Sequence, residues 1–594
     1  MCGIAGIVTG DGRPPDQAAL SRLQAALDHR GPDGRGHYSV GGVGMVQTRL
    51  AIIDLQTGDQ PIYVRSGNST LAIVANGEIY NYLELRAQIP GAAFSTRSDC
   101  EQPLHLYAGR GLDLTTGMRG MYALAIHHPG ADRLVLARDP FGIKPLYYAE
   151  TPVGFVFASE PQAIIGAGLV APTLRGEGRD ELLNAQFTSG RDTLFSGIAR
   201  VLPGETLVVR QGRIAERRRL PALPDGVPVE QDQGDALQRL DALLNESVGL
   251  HQRSDVPYGM FFSGGIDSSA ILAMMARLNE RPVKAFTVGF GNAGVHDERA
   301  HAKAVAAAVG AEHVEIELGE GEFWRLLPEV AAAMDDPAAD YAVVPTYALA
   351  AAARTAGLKV VLTGEGGDEL FGGYGRYRRT ARPWFFGGRP MRASGALEGL
   401  GVLRSDGRRW RAGIAAAEAE ARAPGRTRLQ VAQATDCADW LPNDLLTKLD
   451  RCLMAHGVEG RVPFIDPAVA AFAMRLPDGL KIRRRLGKWL LRKWLETGLP
   501  AAQPFSRKRG FTVPAAEWIA KRARDLGALV AREPGVAEAC RDGAVERLFA
   551  DVGSRGGKQE GQAAWNLLFF ALWHRRHILG RKPEGDVFTT LAMS

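Results

Sequence analysis

The apolar positions of the chain follow two different rhythms. In the first part they fall in short runs rich in Val, Ile and Gly: 41–54, Ser69–Ile79, 120–129, 133–137, 146–150 and Gly154–Ala158. Runs of this kind between turn residues predict strands. Residues 81–89 and 99–109 between them predict helices. The result is an α+β pattern with many antiparallel strands. In the second part strand and helix alternate. Residues 236–250 carry Leu240, Leu243, Leu244 and Val248 at helical spacing. Strands are then predicted at 258–262, 283–289, 312–318 and 358–363, with helices at 270–278, 298–309, 321–334 and 342–356. This alternation predicts a doubly wound parallel sheet with extra helices, whose ligands sit at the carboxyl ends of strands. Residues 211–235 hold prolines, dense charge and little periodicity, and predict a linker. The expected organisation is one domain over 2–210, the linker at 211–235, and a second domain over 236–594.

Composition narrows the function classes. A chain of 594 residues exceeds one ordinary domain. Net charge is +5 from 71 basic and 66 acidic residues, too small an imbalance to mark a nucleic-acid surface. Five cysteines are an odd, sparse set that suits a reducing compartment. No apolar run approaches the roughly 18 residues of a membrane span. The first residues also lack the pattern of a signal peptide. The expectation is a cytoplasmic protein without nucleic-acid or membrane partners. A homodimer stays open.

The stretch that organises the second part runs from Pro257 to Met275. An apolar strand leads into Ser263-Gly264-Gly265-Ile266-Asp267-Ser268-Ser269, and a strong helix follows. Two glycines allow a sharp turn and close approach to a ligand. Backbone N–H groups, hydroxyls and the helix N-terminus then converge on one spot, which suits a phosphate. Asp267 would repel that phosphate unless a cation lay between them, so a Mg²⁺ bridge is expected. The loop is not a Walker loop, because no Gly-Lys-Ser/Thr follows. It resembles the SGGxDS loop of ATP pyrophosphatases, which split ATP between the α and β phosphates.

Cys2 is either an arbitrary second residue or a nucleophile. If Met1 is removed, its α-amine stands beside its own thiol and can accept the thiol proton. Cys2-Gly3-Ile4, His29-Arg30-Gly31-Pro32-Asp33, Arg49 to Asp54, Asn76 to Asn81 and Ser98-Asp99 together resemble the glutaminase domain of class II glutamine amidotransferases. That resemblance implies an N-terminal-nucleophile αββα sandwich over essentially all of 1–205. It implies that Arg49 forks onto the carboxylate of glutamine. Asp99 and Glu78 would hold the ammonium. Asn76 and Gly77 would form an oxyanion hole, although Asn-Gly also suits a hairpin turn.

A second loop, Thr363-Gly364-Glu365-Gly366-Gly367-Asp368-Glu369-Leu370-Phe371-Gly372-Gly373-Tyr374, resembles the GEGSDExFGGY loop of asparagine synthetases. Trp440-Leu-Pro, Lys448-Leu449-Asp450-Arg451, Glu459 to Asp466 and Lys488 extend the match. The resemblance implies adenosine contacts from Phe262, Val288, Thr363 and Gly364. It implies Mg²⁺ on Asp267 and Asp368, Glu365 acting at the adenylate stage, and Lys488 neutralising pyrophosphate. The implied reaction uses ATP to amidate the β-carboxylate of aspartate through β-aspartyl-AMP, with ammonia from glutamine. The alternatives are the same chemistry on another carboxylate, in a peptide, a cell-surface precursor or a natural product, and a tRNA-modifying ATP pyrophosphatase.

Overall fold

Two six-stranded sheets face each other in the first part of the chain. The structure, a computed structural model, describes residues 2–291, 299–405, 409–506 and 513–593. One sheet centres on Gly3–Thr9, which pairs antiparallel with Val43–Arg49 and Gly154–Ala158. The other centres on Ser69–Ile79, Gly120–His128 and Arg133–Arg138. Side chains of a strand alternate between faces. Ile4 and Val8 thus meet Ala72 and Val74 in a buried layer between the sheets. Ala5 and Ile7 face outward, onto Leu20 and Leu23 of helix Gln17–Ala26. Leu71, Ile73 and Ala75 face helix Gln102–Arg110 on the far side. The layers run helix, sheet, sheet, helix.

The stretch expected to be a linker is only partly one. Arg213–Arg219 is a strand, paired with Glu205–Arg210 at the edge of the second sheet. Its residues are almost all exposed, so it shows no apolar alternation in sequence. Residues 220–232 then cross without helix or strand, and helix Gln233–His251 begins the second part.

That part holds a five-stranded parallel sheet. In spatial order the strands are Glu312–Glu317, Lys284–Gly289, Tyr258–Phe261, Val360–Leu362 and Glu459–Arg461. The chain runs outward from Tyr258–Phe261 in one direction, then returns to build the other side. The helix expected from 298 is described over Arg299–Ala308; residue 298 lies outside the described residues. The C-terminal region, where the sequence suggests only that Trp565 to Trp573 docks on the core, is helical. Helix Lys558–His577 is buried on nearly every side. Asn566 donates to Leu183 O at 2.8 Å, and Trp565 Nε1 to Ala339 O at 2.8 Å. One helix thereby ties both parts together. Among the described residues, no helix is long and apolar enough to cross a membrane.

Candidate active sites

Cys2 immediately precedes an interior strand of the first sheet and is buried. Its backbone nitrogen donates to Asn76 Oδ1 at 3.2 Å. Its carbonyl accepts from Arg30 Nε at 3.2 Å. The other end of the Asn76 amide, Nδ2, is buried with no hydrogen-bond partner among the described residues. An unmet buried donor costs about 1–3 kcal/mol, so this one suits an incoming oxygen. Gly77 lies beside it. Ala75 N donates to Gln60 Oε1 at 2.6 Å and Ile79 N to Asp99 Oδ2 at 2.7 Å. Alternate N–H groups of a strand point the same way, so the Gly77 N–H stands between these two on the same edge. A side chain at 77 would meet Met121 O at 2.2 Å, which requires glycine there.

Burial dominates the charges. It pushes the Cys2 thiol above its ordinary range, with Glu78 adding to the effect and the Leu50 backbone and Arg49 opposing it. Burial pushes Asp99 up to about 6, against the Ile79 N–H. Glu78 is raised well above the carboxylate range by burial and then by Asp99. Two buried acids that resist ionising favour a ligand with positive charge. Arg49 ends its strand with its fork engaged: Nη1 donates to Asp59 at 2.7 Å and Nη2 to Asp54 O at 2.5 Å. The Asp59 side chain is 82% exposed, so a free carboxylate can take its place.

The second site lies where the strand order reverses. Tyr258–Phe261 and Val360–Leu362 are neighbours, and the two glycine-rich loops leave their carboxyl ends. This is the switch point at which open α/β sheets bind ligands. Both loops open on one cavity of about 330 Å³. Ser263, Gly265, Asp267 and Ser268 line it from the first loop. Thr363, Gly364, Glu365 and Asp368 line it from the second, and Phe262 and Val288 complete that end.

Three expected residues stand off the wall. Gly264 supplies the turn, with φ +74°. Ser269 is buried a full turn into helix Ile266–Leu278, and its amide is spent on Gly265 O at 2.8 Å. Lys488 is not a solvated helix lysine. It is buried in a left-handed backbone conformation, φ +57°, just before helix Trp489–Gly498. Its ammonium bridges Asp267 and Asp368 from behind the cavity. Burial alone would depress it, but those two carboxylates hold it above its ordinary value.

Sequence reasoning gave no role to three titratable residues on the wall: Lys448, Glu369 and Tyr374. Lys448 donates to Asp340 at 2.9 Å. Glu369 accepts from the Tyr374 hydroxyl at 2.8 Å. Burial and then Asp368 push Glu369 up to about 7. All three belong to runs already singled out in the sequence, which marked them without saying what they face. Among the described residues, no group of three or more His, Cys, Asp or Glu side chains is placed to hold a metal.

The buried cysteine beside an unmet amide donor and the two-loop cavity at a switch point sit in a chain whose relatives make it a glutamine-hydrolysing ligase. Family models agree: residues 1–219 match the glutamine amidotransferase domain and residues 239–575 match asparagine synthase. A putative glutamine-hydrolysing asparagine synthetase of Mycobacterium tuberculosis is 34% identical over 97% of both chains. Asparagine synthetase 1 of Bacillus subtilis is 30% identical over 98% of both. Amidase chyE of Penicillium rubens is 32% identical over 64% of this chain and 60% of its own. The chain belongs to the glutamine-hydrolysing asparagine synthetase family.

Proposed function

We propose that the chain converts aspartate to asparagine through β-aspartyl-AMP, using ammonia that Cys2 releases from glutamine. One observation carries this reading: a single chain holds both the unmet Asn76 donor at Cys2 and a cavity shared by two glycine-rich loops. The layered first part is then an N-terminal-nucleophile domain, and 236–594 the adenylating domain. With Met1 removed, the Cys2 α-amine takes the thiol proton as sulfur attacks the side-chain carbonyl of glutamine. Asn76 Nδ2 and the Gly77 N–H stabilise the oxyanion. Arg49 holds the substrate carboxylate, and Glu78 and Asp99 its ammonium. Ammonia leaves, and water cleaves the thioester to glutamate.

In the second site Phe262, Val288, Thr363 and Gly364 hold adenosine, while Ser263, Gly265 and Ser268 face the phosphates. The acceptor carboxylate attacks the α-phosphorus and pyrophosphate departs toward Lys488. Ammonia then attacks the acyl carbon, Glu365 takes its proton, and AMP leaves. Asp267 and Asp368 offer the hard oxygens that Mg²⁺ prefers, and that ion commonly takes only one or two carboxylates beside phosphates. Their shared ammonium shows that the spot already sustains positive charge. When bound, the ion would neutralise phosphate charge.

The test is product identification by mass with glutamine, ATP and aspartate. Equal amounts of asparagine, glutamate, AMP and pyrophosphate are expected. ADP with phosphate in their place would refute the mechanism. The likeness to an amidase supports a second reading, in which another carboxylate is the acceptor. Product from a different acid, with none from aspartate, would establish it.

The glutamine site also predicts a pH profile. Asp99 can hold an ammonium only when ionised, and its carboxyl titrates at about 6. The KM for glutamine should rise as pH falls, with Asp99 giving a break at about 6 and the likewise raised Glu78 adding to the climb. A KM that stays flat down to pH 5 would remove Asp99 from substrate binding.

A further inference from the structure

Helix Leu446–Met454 belongs to the second part of the chain but reaches the first. Lys448 and Leu449 line the nucleotide cavity. Asp450, the next residue, turns toward Cys2. Its Oδ2 accepts from Arg30 Nη1 at 2.8 Å and its Oδ1 from Arg30 Nη2 at 3.0 Å. Arg30 Nε in turn donates to the Cys2 carbonyl. Arg30 and Asp450 are both buried. Arg30 Nη1 also donates to Glu160 at 2.6 Å. Behind Asp450, Arg451 Nη1 donates to its Oδ2 at 2.9 Å and Nε donates to Asp335 at 2.6 Å. A forked pair of this kind fixes direction as well as distance.

Strand Glu459–Arg461 makes a parallel crossing. The Arg461 carbonyl accepts from Thr363 N at 2.8 Å, at the root of the second loop. Its guanidinium is held by Glu459 at 2.7 Å and stands 3.7 Å from Glu78. Both crossings therefore start at the nucleotide cavity and end on the glutamine site.

We propose that Asp450 and Arg461 are positioning residues for glutamine hydrolysis: the adenylating part supplies the buried charges that aim Arg30 at Cys2 and steady Glu78. The proposal rests on the assignment of that hydrolysis to Cys2. Without the Asp450 fork, Arg30 keeps one carboxylate, Glu160 on Nη1, and its Nε is no longer held against the Cys2 carbonyl by a two-point clamp. The Cys2 carbonyl then loses its fixed donor. A misplacement of about 1 Å near a reacting group costs on the order of 100-fold. Arg461 acts on a group assigned to the substrate ammonium, so its effect falls on binding.

The test uses full-length Asp450→Asn and Arg461→Lys, assayed for glutamate release and, in the same preparations, for synthesis from free ammonia. Asp450→Asn should lower kcat for hydrolysis about 100-fold, with KM and ammonia-supported synthesis little changed. Arg461→Lys should raise the KM for glutamine several-fold with kcat preserved. Undiminished hydrolysis in Asp450→Asn, or an equal fall of both activities, overturns the proposal. If Asp450→Asn does not fold by circular dichroism, Arg461→Lys decides, and an unchanged KM overturns it. Cys2→Ala separates the two claims. Hydrolysis that survives Cys2→Ala refutes the assignment to Cys2, whereas hydrolysis lost in Cys2→Ala but intact in Asp450→Asn refutes the positioning role.

Discussion

Replacing Cys2 with alanine is expected to abolish synthesis from glutamine, by about 10³-fold or more, while synthesis from free ammonia persists. The size follows from what the residue supplies. Sulfur forms the bond that releases ammonia, and alanine at position 2 offers no nucleophile in its place. The persistence follows from separation. Both loops of the second cavity come from residues beyond 257, and ammonia offered in solution needs no thioester. Amide product measured from each nitrogen source gives the answer. Loss of synthesis from both sources would mean that Cys2 supports the fold rather than the chemistry.

The mirror experiment is Lys488→Met. Synthesis from either nitrogen source should fall about 10²- to 10³-fold, the usual cost of removing one preorganised charge from a departing group. Glutamate release should survive, because Lys488 touches Asp267 and Asp368 and not the glutamine site. The backbone provides a control. At φ +57° any L-residue carries strain of about 1–2 kcal/mol that glycine does not. Lys488→Gly should therefore melt higher than Lys488→Met and be just as inactive. A glycine variant that regained activity would show that backbone relief, not charge, sets the rate.

The sequence disclosed most of this architecture where the physics is local. Ser69–Ile79 and Gly154–Ala158 have the bounds their apolar runs suggest, because a strand covered on both faces reads as one nearly unbroken apolar run. The two glycine-rich loops were legible because acids and glycines in that density make poor core. What stayed hidden is non-local. Arg213–Arg219 looks like a linker because neither face of an exposed edge strand needs apolar residues. Lys488 is marked by resemblance, but its left-handed backbone is not, because nothing nearby signals it. Asp450 and Arg461 stood in recognisable runs, but their partners lie 420 and 383 positions away, at Arg30 and Glu78 (450 − 30 and 461 − 78). No local pattern encodes such pairings.

The exposed strand Arg213–Arg219 has a consequence for the life of the protein in a crowded solution. The outer rim of a sheet is a template onto which a foreign chain can zip. Here that rim carries Arg213, Glu216, Arg217, Arg218 and Arg219 in seven residues. Any second molecule approaching in register would bring the same guanidinium groups face to face. The strand that closes the sheet also makes it an unwelcoming seed for polymerisation.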